Sequence, residues 1–170
     1  MTEQTSGPKA PWREHLGEIP FTISYDNDTV FEAVQKIALQ SPASVAYEFM
    51  GSTTTYGTLL SSTLQCARAL SAIGVGVGDR VTVAMPNCPQ AIIMLYAVSA
   101  VGAVANIVHP LSSEKEMEFF VNDAHSYTVL TLDAMYGKFA AIREKTRIQN
   151  LIVTSIADAL SPLKKIGYAM

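Results

Sequence analysis

From Val81 to Ser113 the chain carries no Asp, Glu, Lys or Arg. A stretch without charge lies either in lipid or inside a protein. The segment from Ala91 to Val108 reaches roughly 18 residues, the usual length of a spanning candidate. Its interior argues for burial in protein instead. Gly102 and Asn106 interrupt it, and Pro86, Pro89 and Pro110 bracket it. The β-branched Val104, Ile107 and Val108 favour strand in its second half. A buried helix followed by a buried strand accounts for the missing charge, so no transmembrane span is expected.

The remaining composition agrees. Of 170 residues, 49% are apolar and 16% charged, rich enough in core formers for one globular domain. The net charge of −3 and the absence of a clustered basic face speak against a nucleic-acid partner. The one adjacent basic pair, Lys164-Lys165, reads as a solvated helix face. Cys66 and Cys88 match no zinc or redox spacing and read as small buried hydrophobes. His15, His109 and His125 are scattered, without the spacing of metal ligands. The polar start, MTEQTSGPKAPWREH, lacks the apolar core of a secretion signal, which points to the cytoplasm.

Residues 1–24 read as an extended arm and 25–170 as one α/β subdomain. Thr29 with Glu32 forms a capping box before a helix whose apolar positions are Val30, Phe31, Val34, Ile37 and Ala38; Ser41-Pro42 stops it. Val45–Phe49 and Thr53–Thr55, joined at Met50-Gly51, predict a small hairpin near residues 44–55. Thr55 caps a long helix ending at Gly74. Strands are expected at Arg80–Ala84, Ala103–Val108, Tyr127–Leu132 and Asn150–Thr154. Helices fall between them: Gln90 to about Val101, Ser113 to about Ala124, and Asp133 to about Lys145. A final helical segment is expected around Pro162. Strands nearly bare of charge, alternating with helices, imply a layered, mainly parallel sheet flanked by helices.

Several motifs invite a chemical reading. Gly74-Val-Gly-Val-Gly78-Asp79 has the letters of a dinucleotide loop, but it follows a helix and opens a strand, the reverse of the required order. A helix stop with a tight connection explains it. Thr5-Ser-Gly-Pro-Lys9 could cradle phosphate only if its backbone were fixed, and at the start of a polar arm nothing fixes it. His109 sits at the carboxyl end of an apolar strand, where open parallel sheets bind ligands. A structural histidine is the plainer alternative. Asn87, between Pro86 and Pro89, either sets a turn through its side chain or joins a site. Asp123 and Asp133 read as helix-end residues. No nucleophile–base pair stands out.

Four segments, in order, resemble the AMP-forming adenylating enzymes. Thr53-Thr-Thr-Tyr56-Gly-Thr-Leu59 is similar to that family's entry to its first long helix. Gly74-Val-Gly-Val-Gly-Asp79-Arg80-Val81, followed by Met85-Pro86-Asn87-Cys-Pro-Gln, is similar to its "GV..GDRV…PN.P" stretch. Ala100-Val-Gly102-Ala103 through His109-Pro110 resembles the segment that comes next, and Leu111 to Asp123 the helix ending in "ND". Pro11-Trp12, Ile19-Pro20 and Tyr25-Asp26 resemble the arm of bacterial long-chain fatty-acid CoA ligases, as does the segment from Ile152 to Tyr168 at the other end. The resemblance implies the amino-terminal subdomain of the adenylating-enzyme fold. It also implies a parent enzyme that joins a fatty acid to CoA through an acyl-adenylate, using ATP, Mg²⁺ and CoA.

Within these 170 residues the family's Thr/Ser/Gly-rich phosphate loop ending in Lys, its adenine and ribose motifs and its catalytic lysine have no counterpart. No catalytic, cofactor-binding or metal residue is therefore assigned. The expectation is an inactive amino-terminal fragment that self-associates, from a cytoplasmic parent at most peripheral to a membrane. His109 departs from the pattern, since the family more often has Asn before this proline. Two other readings are a free-standing nucleotide-binding module and a non-enzymatic interaction protein derived from a synthetase.

Overall fold

A computed structural model describes residues 11–15, 17–19, 24, 26–161 and 164–165. Local signals set most element ends. Thr29 caps α1 (Val30–Gln40) and Ser113 caps α4 (Glu114–Asp123), each through the expected reciprocal capping box with Glu32 and Glu116. Thr55 caps α2 (Tyr56–Ala72) by accepting from the Thr58 N–H. The hairpin pairs β1 (Val45–Phe49) with β2 (Ser52–Thr55) in antiparallel fashion. Its two turn residues, Met50 and Gly51, both have positive φ (48° and 76°), the twist a two-residue hairpin needs.

Four strands form the main sheet: β3 (Arg80–Ala84), β4 (Val104–Ile107), β5 (Thr128–Leu132) and β6 (Asn150–Thr154). Their order is β4-β3-β5-β6 and every pairing is parallel, as the charge-free strands predict. The charge-free stretch divides into β3, α3 (Pro89–Ala100) and β4. No helix among the described residues is long and apolar enough to cross a membrane.

Alternation along the strands fills both faces. Val81 and Val83 of β3, with Leu130 and Leu132 of β5, pack against Ala67 and Leu70 of α2 and Met94, Ala97 and Val98 of α3. Ala84 and Val129 face the other way, onto Met117 and Val121 of α4 and Phe139 and Ile142 of α5 (Tyr136–Ile142). Each Val, Leu, Ile, Met or Phe among them contributes about 1.5–3 kcal/mol by leaving water. All five residues of β5 are buried, whereas the edge strand β4 leaves Val104 and Ile107 exposed. α1 lies outside α2 and α3, with the Phe31 N–H donating to Ser99 Oγ (3.3 Å).

A polar thread runs through the second face. Asn106 Nδ2 donates to Thr82 Oγ1 (3.0 Å) and to the Phe120 carbonyl (3.3 Å), and Thr82 Oγ1 donates to Ser126 Oγ (2.8 Å). The buried Thr82 and Ser126 hydroxyls are thereby satisfied.

Three expectations need correction. The helix from Asp133 to Lys145 is broken into a 3₁₀ turn (Asp133–Met135), α5, and a second 3₁₀ turn (Arg143–Lys145). Asp133 Oδ1 accepts from the next residue's N–H, Ala134, instead of from an N–H two or three residues further on as a cap would, and Gly137 weakens the segment further. Within the expected extended arm, Pro11–His15 winds into a 3₁₀ turn; most of the arm lies outside the described residues. Lys164 is not simply solvated: its ammonium donates to the Met50 carbonyl at the hairpin turn. Beyond β6, Ile156–Ala159 forms a 3₁₀ turn, while Pro162 lies outside the described residues.

Candidate functional site

β4 follows β3 on one side, and β5 returns to β3's other side. The winding therefore reverses between β3 and β5, with α3 leaving to one face and α5 to the other. Diverging helices open a crevice at the carboxyl ends of the strands, the usual ligand position in such sheets. A cavity of about 580 Å³ lies there, lined by residues that follow or end β3 (Met85, Pro86, Asn87), β4 (Ile107 to Leu111) and β5 (Leu132, Met135). Its volume is in the range of small-molecule sites. The two residues singled out from sequence, His109 and Asn87, line it together. Asp123 and Asp133 do not.

Met85, Val108 and Leu132 are buried and make an apolar floor, while Ile107 and Leu111 stand exposed at 68% and 69% beside the mouth. No Lys or Arg among the described residues lines the cavity. The turn carrying His109 is braced from several directions. The Ser112 N–H donates to the His109 carbonyl (3.1 Å), and Lys138 of α5 donates to the Ser112 carbonyl (2.8 Å). The Leu111 N–H donates to His109 Nδ1 (3.2 Å). That bond orients the ring, and it places the proton of the neutral imidazole on Nε2. His109 thus helps to hold the turn and also lines the cavity. Asn87, expected to set its turn, makes no side-chain hydrogen bond among the described residues.

The glycine loop lies at the opposite, amino end of the sheet. All of its N–H groups but that of the exposed Val77 are already engaged. Gly74 donates to Ser71, Val75 to Leu70, Gly78 to Gly102 and Asp79 to Gly76. The Gly76 N–H is held by the Asp79 carboxylate at 2.8 Å. A loop with a single N–H left over, and with a carboxylate holding another, has little to offer a phosphate. Thr5–Lys9 lies outside the described residues.

Both cysteines behave as hydrophobes, with burial pushing each thiol above its ordinary value; at Cys88 N–H contacts from Ala91 and Gln90 offset this in part. No group of three or more His, Cys, Asp or Glu among the described residues could hold a metal ion. Sequence reading did not anticipate a second cavity of about 270 Å³ where the hairpin, α2, α3 and Ile156–Ala159 meet. On its wall Gln90 Nε2 donates to the Ser155 carbonyl (2.8 Å), and Oε1 is buried without a partner. Only the fold brings those four segments together.

The family model described as "AMP-binding enzyme" matches residues 34–167. The chain belongs to that family. A long-chain-fatty-acid–CoA ligase of Bacillus subtilis is 31% identical over 161 residues, covering 94% of this chain and 29% of the ligase. An acetyl-coenzyme A synthetase of Deinococcus radiodurans is 40% identical over 86 residues, 51% of this chain and 13% of that synthetase. Among solved structures, the N-terminal domain of FACL13 from Mycobacterium tuberculosis superposes with a TM-score of 0.71 at 25% identity, covering 78% of this chain and 36% of that one. This AMP-binding family chain thus has the α/β architecture of the amino-terminal region of fatty acyl-CoA ligases, and it spans less than a third of the length of the ligases it matches.

Proposed function

We propose that this chain is the amino-terminal part of an ATP-dependent, AMP-forming fatty acid–CoA ligase acting in the cytoplasm. In that reading residues 25–170 form the first α/β layer of the adenylating domain and residues 1–24 its arm. The whole enzyme activates a fatty acid as its acyl-adenylate, releasing pyrophosphate, and passes the acyl group to CoA. The observation that carries the reading is the likeness to a fatty-acid–CoA ligase across nearly the entire chain. The described residues do not fit the nucleotide or its Mg²⁺: all but one of the glycine loop's N–H donors are spent, one of them on a carboxylate, and no acidic cluster is present. Those tasks fall to the remainder of the ligase, so the 170-residue chain alone is inactive.

Fatty-acid-dependent exchange of pyrophosphate into ATP tests this. Exchange is expected from the product of the reading frame continued past Met170, and none from the 170-residue chain. Exchange by the short chain, or a reading frame that stops at Met170, would overturn it. The uncharged edge strand β4, with Val104 and Ile107 exposed, supports self-association of the short chain. Its sedimentation should depend on concentration.

A further inference from the structure

We infer that the carboxyl-end cavity takes an uncharged, mainly apolar group bearing one hydrogen-bond acceptor oxygen, received by His109 Nε2–H and the Asn87 amide. The inference rests on the ligase reading for one point only: the occupant is the part of the acid substrate remote from its carboxylate.

Three observations carry it. The floor of Met85, Val108 and Leu132 is buried and apolar, and Ile107 and Leu111 continue that surface to the outside, so a hydrocarbon chain is wetted by protein along its length. The polar side chains of the lining are Asn87 and His109, and His109 Nδ1 is already engaged by the Leu111 N–H. The cation bracing the same turn, Lys138, is engaged by the Leu111 and Ser112 carbonyls. A carboxylate placed here would lose water without meeting a positive charge, whereas a keto, ester or ether oxygen needs only a donor.

The His109 geometry also indicates which residue can replace it. Nδ1 accepts the N–H of the residue two places on, Leu111, just as an asparagine Oδ1 does in an Asx-turn. The ring's second nitrogen then corresponds to the asparagine amide: one atom sets the turn, the other donates outward. His109→Asn should therefore keep the site, while His109→Phe keeps an aromatic ring and loses both functions.

The test uses the 170-residue chain and two eight-carbon probes, 2-octanone and octanoate, titrated at neutral pH while the His109 ring and Asn87 side-chain resonances are followed. Saturable shifts at both residues are expected with 2-octanone, and binding of octanoate about tenfold weaker or worse. His109→Phe should lower ketone affinity by roughly tenfold, and His109→Asn should restore it. Equal affinity for the two probes, shifts that bypass His109 and Asn87, or full affinity in a folded His109→Phe protein would overturn the inference. Each of those results leaves the exchange assay untouched. Failure of the exchange assay, in turn, leaves the measured cavity preference standing and removes only the identification of its occupant with the acid substrate.

Discussion

The loop entering β3 and the turn leaving β4 lie at opposite ends of one sheet, and they invert what their letters suggest. Gly74–Asp79 has the composition of a phosphate cradle, yet all but one of its N–H groups are spent on Leu70, Ser71, Gly76, Gly102 and the Asp79 carboxylate. His109-Pro-Leu111 resembles no ligand motif, yet it walls the larger cavity, with the imidazole Nδ1 accepting the Leu111 N–H. The difference is one of position. Where helices diverge from the carboxyl ends of parallel strands a crevice opens, and at the amino ends a short connection simply closes the chain.

The comparison assumes one core shared by both ends. Phe139, fully buried between the sheet and α4, belongs to that core. Phe139→Ala should cost about 3–5 kcal/mol and loosen both ends together, read by denaturant unfolding with probes at each end. Survival of one end alone would show two independent units.

Gly102→Ala acts on the amino end only. Gly102 has a φ of +74°, and a Cβ there would lie 2.9 Å from a Val77 methyl. The backbone strain predicts a loss of about 1–2 kcal/mol. Binding of 2-octanone at the far end should be unchanged, and a parallel loss would break the separation of the two ends.

Asp79→Ala sharpens the contrast further. It removes the acceptor for the Gly76 N–H and should cost about 1 kcal/mol. Calorimetry should find no saturable ATP binding before or after the change. Binding gained on removing the carboxylate would mean the loop is a masked phosphate site.

The smallest effect concerns acid. Hydrogen bonds from the Ser113 backbone and hydroxyl hold the Glu116 carboxyl below its ordinary value of 4.5, and Thr29 does the same for Glu32. A lowered folded-state value contributes stability present above the ordinary value and lost as pH falls through the lowered one. Stability should therefore decline as pH drops below about 4.5, where the unfolded carboxylates begin to bind protons. Glu116→Gln should flatten part of that decline, because Glu116 caps α4 directly after the His109 turn. A pH profile identical to wild type would detach the capping box from the acid response.

The capping boxes, the helix-ending glycines and the parallel strands were legible because each depends on residues close in sequence. Thr29 with Glu32, Ser113 with Glu116, and the positive φ of Gly74 and Gly102 are local matters. The failure at Asp133 was local too: its carboxylate could cap a helix or bond the adjacent N–H, and the composition is the same in both cases. The thread Asn106–Thr82–Ser126 was invisible for another reason, since it joins three segments that meet only across strand pairs.

Taken alone, the chain's letters determined that its uncharged middle must be buried, where its helices begin and end, and which family it resembles. What only the tertiary structure decided is that Asn87 and His109 share one cavity, that all but one of the glycine loop's N–H donors are spent within the protein, and that Lys164 reaches the hairpin. The reason is geometric. Helical and turn hydrogen bonds are made within a few residues, whereas a parallel strand meets its neighbour only after a full crossover, so what gathers at the strand ends is set by the winding of the whole sheet.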